Sequence, residues 1–193
     1  MFPPGVRIMA ALRAIPLPGV RRRDPASPPP PGFDHSVLIS AAPTRVLAAF
    51  FDPEALAAWW QTTRSVTTPR PLGVYAVEWE PTPFKDEVLG PLGGAFYGTV
   101  VEYKAGREFA VAEAFWLPPA GDPIGPMSLS VTCAMDGPAC RLRVRQSGYE
   151  ESARWKHYYD VVSLGWQTSL AALKDYLEQG GRSGRREATR RRV

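Results

Sequence analysis

A chain of 193 residues, 45% of them hydrophobic, can close one domain around a substantial core, and its two cysteines are too few for a disulfide scaffold. No stretch reaches the roughly 18–20 uninterrupted apolar residues of a membrane helix, so no membrane span is expected. The net charge of +4 is unevenly placed. Residues 1–32 and 180–193 carry eleven arginines against Asp24 and Glu187, a net +9, whereas residues 33–179 carry 12 basic and 17 acidic groups, a net −5; that domain lacks the basic footprint of a specific nucleic-acid binder.

Residues 1–32 hold nine prolines, four consecutive at Pro28–Pro31, and read as a disordered, extended tail. The apolar run Ile8–Ile15 is short, broken by Arg13 and followed by Pro16 and Pro18. It makes a poor signal peptide, and a cytoplasmic location is expected. Met9 is an alternative start to Met1. An ordered domain is predicted over 33–179, opening with a strand at Ser36–Ser40 that sets Val37 and Ile39 on one face. Pro43 suits the first turn of a helix whose apolar stripe is Val46, Leu47 and Phe50. A second short helix begins at Asp52-Pro53-Glu54, with Asp52 as cap and Pro53 in the first helical position, and ends in Trp59-Trp60.

Tyr75, Val77 and Trp79 alternate with Ala76, Glu78 and Glu80, which predicts a strand over Gly73–Glu80. Residues 81–94, rich in Pro and Gly, read as a loop. Strands follow at Ala95–Tyr103 and Glu108–Trp116, joined at Lys104-Ala105-Gly106. The clearest half-buried strand then aligns Met127, Leu129, Val131, Cys133 and Met135. Its partner Cys140–Gln146 opposes Cys140, Leu142 and Val144 to Arg141, Arg143 and Arg145; the arginine row reads as the solvated side of an antiparallel sheet, with an anion-binding face as the other reading.

Cys133 and Cys140 read as small buried residues flanking a turn. They would be directly opposite across a two-residue loop or diagonal across a four-residue one, and Pro138, lacking an N–H, favours the longer. The cysteines and the two histidines, His35 and His157, lack zinc-type spacing, and no metal or cofactor is expected. From Ser152 to Glu178, apolar residues including Trp155, Tyr158, Val162, Trp166, Leu170, Leu173 and Leu177 recur at helical spacing. They predict one long helix that ends at Gly180-Gly181, before a disordered Arg-rich tail over 180–193. Gly165 inside it implies a close approach by strand or ligand, or a bend.

This order is that of an α+β helix-grip fold: a curved antiparallel sheet of about six strands wrapped around a long C-terminal helix, with two short helices after the first strand. D-P-E-A-L-A-A-W-W at Asp52–Trp60 and G-W-Q-T-S-L-A-A-L-K-D-Y-L at Gly165–Leu177 anchor its two ends. Between and before them stand V-L-I-S-A-A-P-T-R-V at Val37–Val46, G-T-V-V-E-Y at Gly98–Tyr103 and R-Q-S-G-Y at Arg145–Tyr149. Together these motifs resemble the START-like (SRPBCC) superfamily, and within it the family named for the C-terminal domain of the activator of heat-shock protein 90 ATPase. The resemblance spans about residues 36–179 and departs at Leu72-Gly73-Val74-Tyr75, where the family carries G-G-x-aromatic. It implies a pocket between sheet and helix, in a family whose members bind hydrophobic small molecules or partner proteins; the wider superfamily includes cyclases and hydrolases.

The expected function is noncatalytic binding of a small hydrophobic or amphipathic ligand near Trp60, Tyr75, Trp79, Glu113, Phe115, Leu129, Tyr158, Val162 and Trp166. Trp59 and Trp60 are adjacent on a short helix, so one packs and the other forms a rim or wall. One alternative is a protein-interaction module, resembling a heat-shock protein 90 co-chaperone domain, that uses Arg141, Arg143, Arg145 and the basic tails. The other is a cyclase- or hydrolase-like enzyme using Glu113 or His157. If the Phe109/Val111/Glu113/Phe115 row faces inward, the Glu113 carboxyl is buried and its pKa raised; if the Ala110/Ala112/Ala114/Trp116 row does, Glu113 is a surface residue. His157 has Asp160 three residues on, within reach on a helix.

Overall fold

One long helix closes the face of a seven-stranded, fully antiparallel sheet. The computed structural model describes residues 32–148, 150 and 152–190, with side chains to 179. The expectations for the Pro-rich stretch before Gly32, for Tyr149 and for the last three residues lie outside the described residues. The elements are β1 (Gly32–Ile39), α1 (Pro43–Ala48), α2 (Pro53–Trp60), β2 (Arg64–Thr67), β3 (Gly73–Trp79), β4 (Lys85–Asp86), β5 (Gly90–Pro91), β6 (Gly94–Lys104), β7 (Glu108–Leu117), β8 (Ile124–Asp136), β9 (Ala139–Gly148) and α3 (Ala153–Arg190). The main sheet runs β1-β9-β8-β7-β6-β3-β2, and β4 and β5 form a separate ribbon. No described helix is long and apolar enough to cross a membrane.

Local chemistry explains the short helices. Pro43 and Pro53 occupy first-turn positions, where a missing N–H costs nothing. The Asp52 carboxylate accepts the Glu54 N–H at 3.1 Å, and Gln61 ends α2 in the left-handed region at φ 58°. The α1–α2 corner then delivers Phe50 and Phe51 onto Phe109 of β7, with ring centroids 5.5 and 4.8 Å away.

The structure departs from the sequence expectations in four places. The main sheet has seven strands rather than six: β2 is four residues long, too short to show an alternation, and pairs with β3 through its backbone. Residues 81–94 carry the β4–β5 ribbon instead of being loop alone. Helical backbone also passes through Gly180, Gly181 and Gly184 to Arg190, since glycines cost only about 1 kcal/mol each in a helix and Arg, Glu and Ala resume it. At the β8–β9 hairpin the turn is Gly137-Pro138, with Gly137 at φ 59°. Met135 pairs with Cys140 and Cys133 with Leu142, so the cysteines lie diagonal.

A β-bulge in β7 governs what faces the helix. Phe109 and Val111 are buried, as alternation predicts, but the register slips between Val111 and Ala114 and Glu113 sits at φ 48°. Beyond the bulge Ala114 and Trp116 face inward, while Glu113 is exposed and Phe115 stacks on Tyr97 at 5.6 Å on the outer face. Neither uninterrupted row is the inward one. Across from the bulge stands Gly98, where a Cβ would lie 2.6 Å from Val111 Cγ1 and 2.9 Å from the Ala112 carbonyl; the glycine is required by close approach.

The arginine row of β9 faces solvent and is matched by acids. Arg143 forms a charge-assisted hydrogen bond with Asp34, which Arg145 also approaches at 3.5 Å, and Arg141 donates to Asp136. Along β1 the helix is fastened by polar contacts: His35 Nε2 to Ser163 Oγ at 2.9 Å, Lys174 Nζ to the Leu38 carbonyl at 2.7 Å, and the Ser40 N–H to Glu178 at 2.8 Å.

Candidate functional site

On the side of the helix toward β3, β6 and β7, a cavity of about 310 Å³ lies between helix and sheet, at the small end of the range for ligand sites. Tyr158, Val161, Val162, Gly165, Trp166 and Ser169 line it from α3, one helix face by their three- and four-residue steps. Trp79, Phe96 and Trp116 line it from the sheet, Trp60 from the end of α2, and Gln146 from β9. The stretch after β3 closes the remaining side with Glu80, Thr82, Leu89, Leu92 and Gly93.

The tryptophans are organised around Trp60. Trp59 is buried in the core, its indole N–H donating to the Ala49 carbonyl at 3.0 Å, and Trp60 stacks on it at 4.9 Å and 7°. Trp60 meets Trp79 at 5.0 Å and 79°, and Trp166 at 4.8 Å and 48°. Backbone acceptors fix the walls further: Trp79 Nε1 donates to the Trp60 carbonyl at 2.9 Å and Trp116 Nε1 to the Gly93 carbonyl at 2.8 Å. Gln146 donates to the Tyr158 hydroxyl at 3.0 Å, and burial pushes the Tyr158 pKa up, which keeps that hydroxyl neutral.

Asp86, in the ribbon after β3, ties that closing stretch to the helix. Its carboxylate accepts the backbone N–H groups of Val88 and Leu89, each at 2.8 Å, and His157 Nε2 lies 2.9 Å from both its oxygens. The Leu89 N–H first, then His157, hold the Asp86 carboxyl at about 2, below the ordinary 3.8. Because the folded value lies below the unfolded one, this stabilisation is complete above about pH 4 and is lost as pH falls from about 4 towards 2. Asp86→Asn is therefore expected to melt earlier than the wild type at pH 6, with the gap closing by about pH 2; thermal melts across that range check it, and a gap that persists at pH 2 would assign the loss to something other than the carboxylate.

Of the residues expected at the site, Trp60, Trp79, Tyr158, Val162 and Trp166 come together around the cavity. Tyr75 and Leu129 are fully buried elsewhere in the core; Tyr75 packs against Phe51, Phe96 and Phe109. Glu113 and Phe115 lie on the other side of the sheet because of the bulge. His157 turns to Asp86, seventy-one residues away in sequence, and not to Asp160. Gly165 does not answer to a close approach by protein: a Cβ there meets nothing within 4 Å, and its bare backbone borders the cavity. Sequence reading missed Phe96, Trp116, Gln146 and the Thr82–Gly93 wall. The inward place of Trp116 was hidden by the bulge, and the wall by the irregular backbone of its stretch.

The family described as Activator of Hsp90 ATPase homolog 1-like protein matches residues 40–178. Among solved structures, a protein of Chromobacterium violaceum is similar at 25% identity and a TM-score of 0.56, over 77% of this chain and 97% of that one. A protein of Mycobacterium smegmatis is similar at 14% identity and 0.62, over 78% and 92%. The Aha1 dimer of Colwellia psychrerythraea, solved in solution, is similar at 19% identity and 0.52, over 76% and 96%. No curated protein matches the chain.

Proposed function

Since the chain belongs to the Activator of Hsp90 ATPase homolog 1-like family, whose fold it shares, we propose that it is a cytoplasmic binding protein that holds a small hydrophobic or amphipathic ligand, without chemistry, between sheet and helix. The observation that carries this reading is the convergence of six aromatic residues from five separate elements on one cavity of about 310 Å³. A core needs no such space, because protein interiors otherwise close to crystal-like density. Neither Glu113 nor His157 lines the cavity, which is why the reading is binding rather than catalysis. Native mass spectrometry of the freshly purified chain tests it. The expected result is a defined extra mass released on unfolding, or saturable uptake of an apolar fluorescent probe by the empty chain. A bare mass together with no probe uptake would overturn it.

A second reading, a protein-interaction module, draws support from the outer sheet face, where Val66, Val74 and Val101 are each at least half exposed. It relies less on the arginine row, whose three charges Asp34 and Asp136 already reduce to a net +1. A pull-down that loses its partner with Val74→Glu but not with Arg143→Glu would favour this version.

A further inference from the structure

The chemistry of the cavity wall selects the charge of what enters it. Among its lining residues one carries a formal charge, Glu80, and none is Lys, Arg or His. Of the basic groups on flanking elements, Arg64, paired across from Glu78 on β3, bonds it at 2.9 Å and His157 is held by Asp86, while Lys85 of β4 and Lys156 of α3 are exposed and do not line the cavity.

Five of the eight side-chain donors along the wall are committed as well, while those of Trp60, Trp166 and Ser169 donate to no group among the described residues. The indole N–H groups of Trp79 and Trp116 point to backbone carbonyls, and the Thr82 hydroxyl donates to the Phe84 carbonyl at 3.0 Å. The Gln146 amide donates to Tyr158, whose own hydroxyl donates to Met127 Sδ at 3.5 Å. An anionic head would meet one carboxylate, few free donors and the electron-rich faces of aromatic rings. A cationic head meets the same surroundings with the opposite sign.

We propose that the ligand of this cavity carries an alkylammonium group, its apolar part against the aromatic wall and its positive charge beside Glu80 and the tryptophan cluster. This rests on the reading of the cavity as a ligand site and adds the charge of the ligand to it. Indole faces attract quaternary ammonium groups more strongly than other side-chain rings do, and the non-parallel planes of Trp60, Trp79 and Trp166 offer walls in more than one direction.

Three amphiphiles of one chain length, octyltrimethylammonium, octanol and octanoate, titrated below their aggregation limits against intrinsic tryptophan fluorescence and by calorimetry, decide the matter. The cation is expected to bind about tenfold more tightly than octanol, and octanoate more weakly than either. Exposed Glu80, changed as Glu80→Gln, should remove a large part of the cation's advantage while octanol affinity holds. Gly165→Trp serves as the control for place, because the domain over 33–179 is itself acidic and attracts cations loosely. Octanol or octanoate binding as tightly as the cation would overturn the ammonium assignment and leave the cavity reading standing. Cation binding that survives Gly165→Trp unchanged would overturn the assignment too, placing the ion on the surface. Failure of all three to bind would overturn both readings.

Discussion

Phe109→Ala is expected to lower the unfolding free energy by about 3–5 kcal/mol, whereas Phe115→Ala, on the same strand and of the same parity, should cost about 1 kcal/mol. Phe109 is 1% exposed and packs against Phe50, Phe51 and Tyr75, so truncation opens a cavity where the α1–α2 corner meets the sheet. Phe115 is half-buried at the outer face, where truncation removes its stacking on Tyr97 and its cover over Gly125 and opens no core cavity. Urea unfolding of both variants, with unchanged dependence on denaturant, measures the difference. Equal losses would mean that the bulge at Glu113 is absent and that the strand keeps one face throughout.

Gly165→Trp is expected to reduce affinity for an apolar probe at least about tenfold while leaving stability unchanged or slightly raised. The position is exposed, meets nothing within 4 Å and borders the cavity, so an indole there occupies ligand space and not core space. Gly165→Ala is the companion: it should add about 1 kcal/mol through helix propensity and spare most of the cavity. Trp166→Ala separates the two effects poorly, because Trp166 is 5% exposed and serves core and cavity wall together. Probe titrations beside thermal melts read both quantities, and unchanged affinity in Gly165→Trp would place the ligand elsewhere.

Periodicity carried far along this chain where one rule held for a whole element. The alternation in β3, β8 and β9 and the three- and four-residue steps of α3 were visible without coordinates, as were the helix starts at Pro43 and Asp52-Pro53. About a third of the cavity wall was legible for the same reason: Tyr158, Val162 and Trp166 share a helix face, and of two adjacent tryptophans only one can pack inward.

What broke that legibility was a single extra residue. At Glu113 the strand changes face, so parity counted from Phe109 assigned Glu113 and Phe115 to the cavity and hid Trp116 from it. A hint stood in the facing strand, since Gly98 inside an otherwise β-branched and aromatic run is the mark of a bulge or a close backbone approach. The position of that slip was not in the pattern.

By itself, then, the sequence determined the longer elements, their order and which helix face meets the sheet, because each follows from local periodicity or local capping, and its motifs carried the resemblance to the family. The tertiary structure alone decided which half of β7 turns inward, that Asp86 reaches His157, that Arg143 finds Asp34, and that Gly165 borders open space. Those outcomes depend on strand register and on contacts between residues far apart in the chain, which no local pattern encodes.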